Sequence, residues 1–320
     1  MKNQMIHTTL AAFLAGASFL PVTLPNLAAA AESPFAVRMN TMEIDGLTIA
    51  YREAGDPSNP TVLLLHGFPT SSHMFRELIP ELAGKYHVIA PDYPGFGASE
   101  MPDANDYDYS FANAADVVTK LIDARGVTDY AVYLMDYGAP VGYRMFAADP
   151  ARVTGFIIQN GNAYEEGLRE FWDPIKSYWA EPSAENGDAL RAFLTLDATI
   201  WQFTHGVGDV SKVNPDNYWH VQYLLDRPGN QEVQLEMFLD YGTNVSEYPK
   251  WQALFREHQP PALIVWGQND HIFPAQGAHP YKQDLTDVEF HLLDTGHFAL
   301  EEYGEVIADE MTDFLDRIHD

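Results

Sequence analysis

The 320-residue chain is 46% hydrophobic and 13% aromatic, enough apolar material for a large buried core and unlike a disordered chain. Its net charge of −28 repels nucleic acid and anionic membranes at long range, so neither is an expected partner. It has no Cys, which excludes disulfides and thiolate metal sites.

In chain order, "LAAFLAGASFLPVTL" is apolar for 15 residues, follows a lone Lys2, and precedes the small-residue run "NLAAAAES". This pattern predicts a signal peptide over 1–31, cleaved near Ala30 or Ala31, and a periplasmic or secreted protein; the segment is too short to span a bilayer. A membrane-anchoring helix is the alternative. Removing Lys2 with this segment takes the charge from −28 to −29.

"AVRMNTMEIDGLTIAYREAG" alternates around Asp45-Gly46, a hairpin signal. "TVLLLHG" is a continuous apolar run, expected of a strand buried on both faces. "SSHMFRELIPELAG" predicts a helix capped by Ser71 or Ser72. "YHVIAPD" predicts a second buried strand, and "SFANAADVVTKLIDARG" a helix from Ser110 to Gly126. "YAVYLMD" and "VTGFIIQNGN" are two further buried runs.

From about Ala163 to His258 the alternation stops and aromatics become dense, as in "FWDPIKSYW". It then resumes: "PPALIVWGQND" and "VEFHLLDTGHF" read as strands, "AQGAHPYKQDL" and "GEVIADEMTDFLDRI" as helices. Short apolar strands alternating with helices predict an α/β fold with a mostly parallel central sheet flanked by helices. The expected organisation is a core over 32–162 and 259–320, with a mainly helical cap over 163–258. Ligands of open α/β sheets sit beyond the carboxyl ends of the strands, so such an insertion would roof the site.

At those strand ends stand "HGFP" (66–69), Asp136, Asp270 and His297. Two carboxylates and an imidazole are thus expected along one edge, in the chain order acid, acid, His. Asn160 and Gln159, which end another strand, are amides, which favours Asp270 as the second acid; Glu165 and Glu166 are more distant competitors. His66 and Ser99 are expected to shape turns, and His271 to be a loop residue.

With "HGFPTSSHMF", "DYPGFGAS", "WGQND" and "DTGHF" in this order, the chain from about 36 to 320 resembles the α/β-hydrolase superfamily. That family's nucleophile sits on a strand-to-helix elbow and is followed by acid and His. Here the elbow is Leu134-Met135-Asp136-Tyr137-Gly138, with Asp in place of Ser and Leu134 where a small residue usually stands. A carboxylate that attacks an alkyl carbon leaves an enzyme ester that water can cleave, whereas a Ser would leave an inert ether. The resemblance therefore implies Asp136 as nucleophile, His297 as base, Asp270 as its orienting acid, and the N–H groups of Phe68 and Tyr137 as the oxyanion hole.

Two substrate classes fit a carboxylate nucleophile. Haloalkane dehalogenases usually carry Trp after the nucleophile and often Asn after His-Gly, where this chain has Tyr137 and Phe68. Fluoroacetate-type enzymes carry Arg where it has Tyr137 and Pro140. Epoxide hydrolases commonly show His-Gly-aromatic-Pro and two cap tyrosines that protonate the opening ring. The resemblance places one at Tyr241, 29 residues before Asp270, and the other at Tyr178, 42 residues after Asp136. The expectation is an epoxide hydrolase that forms a diol through an aspartyl ester. Its partners would be a small apolar electrophile and water, with no metal or organic cofactor. A dehalogenase using the same triad is the alternative, and a catalytically idle binding protein on this fold a third reading.

Overall fold

The computed structural model describes residues 36–319. The expected signal segment over 1–31 lies outside the described residues, and among those residues no helix is long and apolar enough to cross a membrane.

The chain opens with β1 (Arg38–Ile44) and β2 (Leu47–Ala54). Ile44 pairs with Leu47 across Asp45 and Gly46, whose φ of 52° and 82° give the left-handed turn that the Asp-Gly pair favours. Next come β3 (Thr61–Leu65), α1 (Leu78–Leu82) and β4 (His87–Pro91). The single helix expected over "SSHMFRELIPELAG" is instead a 3-10 turn over Ser72–Phe75, capped by Ser71, followed by the five-residue α1. Pro80 has no N–H to give the carbonyl four residues back, which disfavours one continuous helix here.

Helix α2 (Phe111–Ala124) is capped by the Ser110 side chain, which accepts from Asn113 N. The next units are β5 (Tyr130–Met135), α3 (Gly138–Ala148) and β6 (Val153–Gln159). Every residue of β3, β4 and β5 is buried, as strands covered on both faces require.

Between β6 and β7 the described chain is helical: α4 (Asp173–Ala180), α5 (Ala184–Leu190), α6 (Leu196–Thr204), α7 (Pro215–Leu225) and α8 (Asn230–His258), with short 3-10 turns. The core resumes with β7 (Ala262–Gly267), α9 (Tyr281–Asp284), β8 (Val288–Leu293) and α10 (Ala299–His319). The expected helix over "AQGAHPYKQDL" shrinks to a 3-10 turn and the four-residue α9, which starts only after Pro280.

The eight strands form one sheet in the order β1-β2-β4-β3-β5-β6-β7-β8. The two pairings made by β2 are antiparallel and the other five parallel. Parallel strands end at one edge, and this brings the loops after β3, β5, β7 and β8 together beneath the helical insertion.

Candidate active site

Strand β5 turns into α3 through Asp136, whose φ of 50° lies in the left-handed region that side chains other than Gly seldom occupy. Two close approaches fix this elbow. A Cβ on Gly138 would stand 2.2 Å from the Leu65 carbonyl oxygen, and one on Gly67 would stand 2.3 Å from Asp136 Cβ. Only glycines let α3 start against β3 and the turn after β3 lie against the carboxylate. Leu134, which stands where a small residue is usual, is accommodated by Gly142 one turn into α3: a Cβ there would meet Leu134 Cδ2 at 2.2 Å.

The two oxygens of Asp136, only 4% exposed, have different surroundings. Oδ1 accepts from the backbone N–H of Phe68 at 2.7 Å and of Tyr137 at 2.5 Å. Oδ2 faces His297 Nε2 at 3.7 Å, too far for a hydrogen bond. His297 is 2% exposed, and its Nδ1 lies 2.8 Å from Asp270 Oδ2, which fixes the ring with Nε2 toward Asp136. Asp270 in turn accepts from Ile272 N at 2.7 Å and from Asn160 Nδ2 at 2.8 Å. The three groups expected at the strand ends therefore form one chain, Asp136, His297, Asp270, with the Phe68 and Tyr137 N–H groups on Asp136.

Burial pushes the Asp136 carboxyl up to about 6, against the opposing pull of His297 and the two N–H donors and with some help from Asp270. Burial alone would lower His297, but the charge and hydrogen bond of Asp270 and the charge of Asp136 outweigh it and hold the imidazole above its ordinary value.

Over Asp136 lies a cavity that leaves about 20 Å3 for water centres, room for one or two waters. Its floor is Phe68, Asp136 and Tyr137, and its roof Phe171, Trp172, Ile175, Phe193, Gln202 and Phe238 of the helical insertion, with Ile272 from the loop after β7. A roomier groove of about 590 Å3 between α1 and the start of α10 contains none of the site groups.

The two cap tyrosines are not in this lining. Tyr241 lies one layer behind it, its ring 4.5 Å from that of Trp172 and 6.0 Å from that of Tyr137. Burial holds its hydroxyl in the protonated form; Tyr248 lies near without meeting hydrogen-bond geometry, and the hydroxyl has no hydrogen-bond partner. Tyr178, the other tyrosine the resemblance implies, is likewise outside the lining. It packs over Gly187 of α5, and its charged neighbours are Glu236, Arg191 and Asp188 rather than Asp136. Trp172 and Ile175 line the cavity, while Tyr178 packs part-buried against the core.

Other residues have structural surroundings. His66 stacks on Tyr93 at 4.1 Å and is kept neutral by burial, with its pKa lowered to about 4. Ser99 Oγ bridges Ala50 N and the Asp92 carbonyl, and His271 packs edge-on against His205. Asn160 and Gln159 support the Asp270–His297 pair: Asn160 holds Asp270, and Gln159 Nε2 holds the His297 carbonyl at 2.8 Å. Gln202 and Trp172 had no sequence signal, being two residues among many in an aromatic-rich helical stretch. Among the described residues, the one trio spaced to share a metal ion is Glu289, His291 and Glu310. It lies on β8 and α10, away from the cavity, and Arg317 is already bonded to Glu289.

Residues 60–303 match the family described as alpha/beta hydrolase fold. The chain is 44% identical over 271 residues to an uncharacterized hydrolase of Saccharomyces cerevisiae, covering 83% of this chain and 93% of that one. It is 39% identical over 286 residues to a haloalkane dehalogenase of Mesorhizobium japonicum, covering 85% and 89%. Among solved structures, a haloalkane dehalogenase loop variant from Bradyrhizobium elkanii aligns with a TM-score of 0.70 at 21% identity, covering 88% of this chain and 98% of that chain. At that identity the likeness speaks for the fold alone.

Proposed function

The chain belongs to the α/β-hydrolase fold family, and from that premise we propose that it hydrolyses a bond at a saturated carbon through a covalent ester on Asp136. The observation that carries this reading is the division of labour at that carboxylate. Oδ1 already sits between two backbone N–H donors, while Oδ2 faces the cavity and the imidazole.

In the first step Oδ2 attacks the carbon. A C–O or C–halogen bond breaks, and its electron pair leaves with the oxygen or halogen. In the second step His297 Nε2 takes a proton from water, and the hydroxide attacks Asp136 Cγ. The negative charge collects on Oδ1, where the Phe68 and Tyr137 N–H groups stabilise it. Asp270 stabilises the imidazolium. The tetrahedral intermediate then releases the alcohol, which takes its proton from the imidazolium.

Within this chemistry we place epoxides first. The "HGFP" turn supports this, as does Tyr241, whose protonated and unpartnered hydroxyl can supply the proton an opening oxirane needs. The present cavity holds only one or two waters, so any organic substrate must displace its lining, and Trp172 and Tyr137 are the rings between the cavity and Tyr241. A carbon–halogen bond is the second reading, favoured by the 39% identical dehalogenase; halide leaves without a proton, and Tyr241 would then have no acid to supply.

The test is trapping. In His297→Gln the second step loses its base, so exposure to panels of epoxides and bromoalkanes should leave a stable adduct on the Asp136 peptide, read by mass spectrometry. The class that alkylates names the substrate. No adduct on Asp136 with either class would overturn the proposal.

A further inference from the structure

Gln202 is a polar side chain in an otherwise apolar roof. It projects from α6, is 5% exposed, and lines the cavity over Asp136. Its amide makes no hydrogen bond with the protein, unlike the other buried amides around the site. Gln159 bonds Tyr133 and the His297 carbonyl, Asn160 bonds Asp270, Asn162 bonds Tyr248, and Gln222 bonds Thr199. The amide is open to the cavity, so a group bound there can complete its hydrogen bonding. Trp172, the other N–H donor in the roof, has already given its indole proton to the Ile272 carbonyl at 2.7 Å.

Displacement at a saturated carbon requires the nucleophile, the carbon and the departing atom to lie nearly in line. Oδ2 attacks from the floor, so the departing atom must point into the roof, where it gathers negative charge as its bond breaks. We propose that the Gln202 amide N–H is the roof donor that binds this departing oxygen or halogen, in the place expected for a second cap tyrosine. This rests on the reading of Asp136 as the alkylated nucleophile. An amide donates a hydrogen bond but does not surrender its proton at neutral pH. Gln202 therefore stabilises the developing charge in either class of substrate, and an alkoxide still takes its proton from elsewhere.

The experiment separates the two half-reactions. Ester formation on Asp136 is timed in His297→Gln, with and without Gln202→Met, using styrene oxide in one arm and 1-bromobutane in the other. Loss of a hydrogen bond to a charged atom should slow ester formation ~10- to 100-fold. Slowing in one arm alone still supports the proposal and names the departing atom. Gln202→Glu, which presents an acceptor at neutral pH, should slow the same step and serves if the Met variant folds poorly. Unchanged ester formation in both arms overturns the proposal, as does a defect confined to ester hydrolysis with His297 intact, which would make Gln202 a holder of the hydrolytic water. Absence of any ester while Gln202 is intact is a different failure, that of the Asp136 reading itself.

Discussion

Asp136 is held where ionisation is costly: burial lifts its carboxyl to about 6. A folded-state pKa above the unfolded one means that the native protein binds the proton more tightly. The charged carboxylate therefore destabilises the fold above pH about 6, and the penalty disappears as the pH falls toward ~4. Asp136→Asn keeps an Oδ1 acceptor for Phe68 and Tyr137 and has no charge to bury. It should be more stable than the parent by ~1–3 kcal/mol at pH 7, with the difference shrinking between pH 6 and 4 in parallel thermal melts. In the proposed reaction the same group sets the rate of attack, since only the carboxylate is nucleophilic, so ester formation in His297→Gln should fall as the pH drops, and from a higher pH than in the parent, because the variant lacks the His297 charge that pulls Asp136 down. At this scale Asp136, Asp270 and His297 were legible because each follows a buried run at a strand end, a position that parallel topology sends to one edge. Tyr178, Tyr241 and Gln202 were not. In a helical, aromatic-rich segment the spacing gives no sign of which side chains reach the cavity, and Gln202 lines it while Tyr178 does not.

At the scale of elements, the β5–α3 elbow shows how a departure in one residue is absorbed by another. Leu134 looked out of place in the elbow motif, yet Gly142 leaves room for its Cδ2. The compensation lies eight residues on, across the strand–helix contact. Gly142→Ala should therefore destabilise the parent by ~1–3 kcal/mol through overpacking. In a Leu134→Ala background the penalty should largely vanish, a coupling that a double-mutant cycle of denaturant melts will read. The strands themselves were plain in the sequence, because continuous apolar runs bounded by Gly and Pro have few other uses. The helices expected over 71–84 and 275–285 are shorter and broken, because Pro80 and Pro280 sit inside patterns whose periodicity alone favours one continuous helix.

In the whole molecule, the sheet order and the helical insertion do separate jobs. Five parallel pairings place Asp136, His297 and Asp270 on one edge. The helices between β6 and β7 cover that edge with an apolar roof and leave a cavity for one or two waters. The chemistry therefore belongs to the sheet edge, and the choice of substrate to the roof. The central claim is that the carboxylate of Asp136, rather than water, makes the first bond to carbon, and isotope labelling tests this most directly. A single turnover with enzyme in excess is run in H218O, and both product and the Asp136 peptide are weighed. Attack by Oδ2 followed by hydrolysis at Cγ predicts a first-turnover product without 18O and one 18O in the Asp136 carboxylate. A first-turnover product carrying 18O, with Asp136 unlabelled, would contradict it.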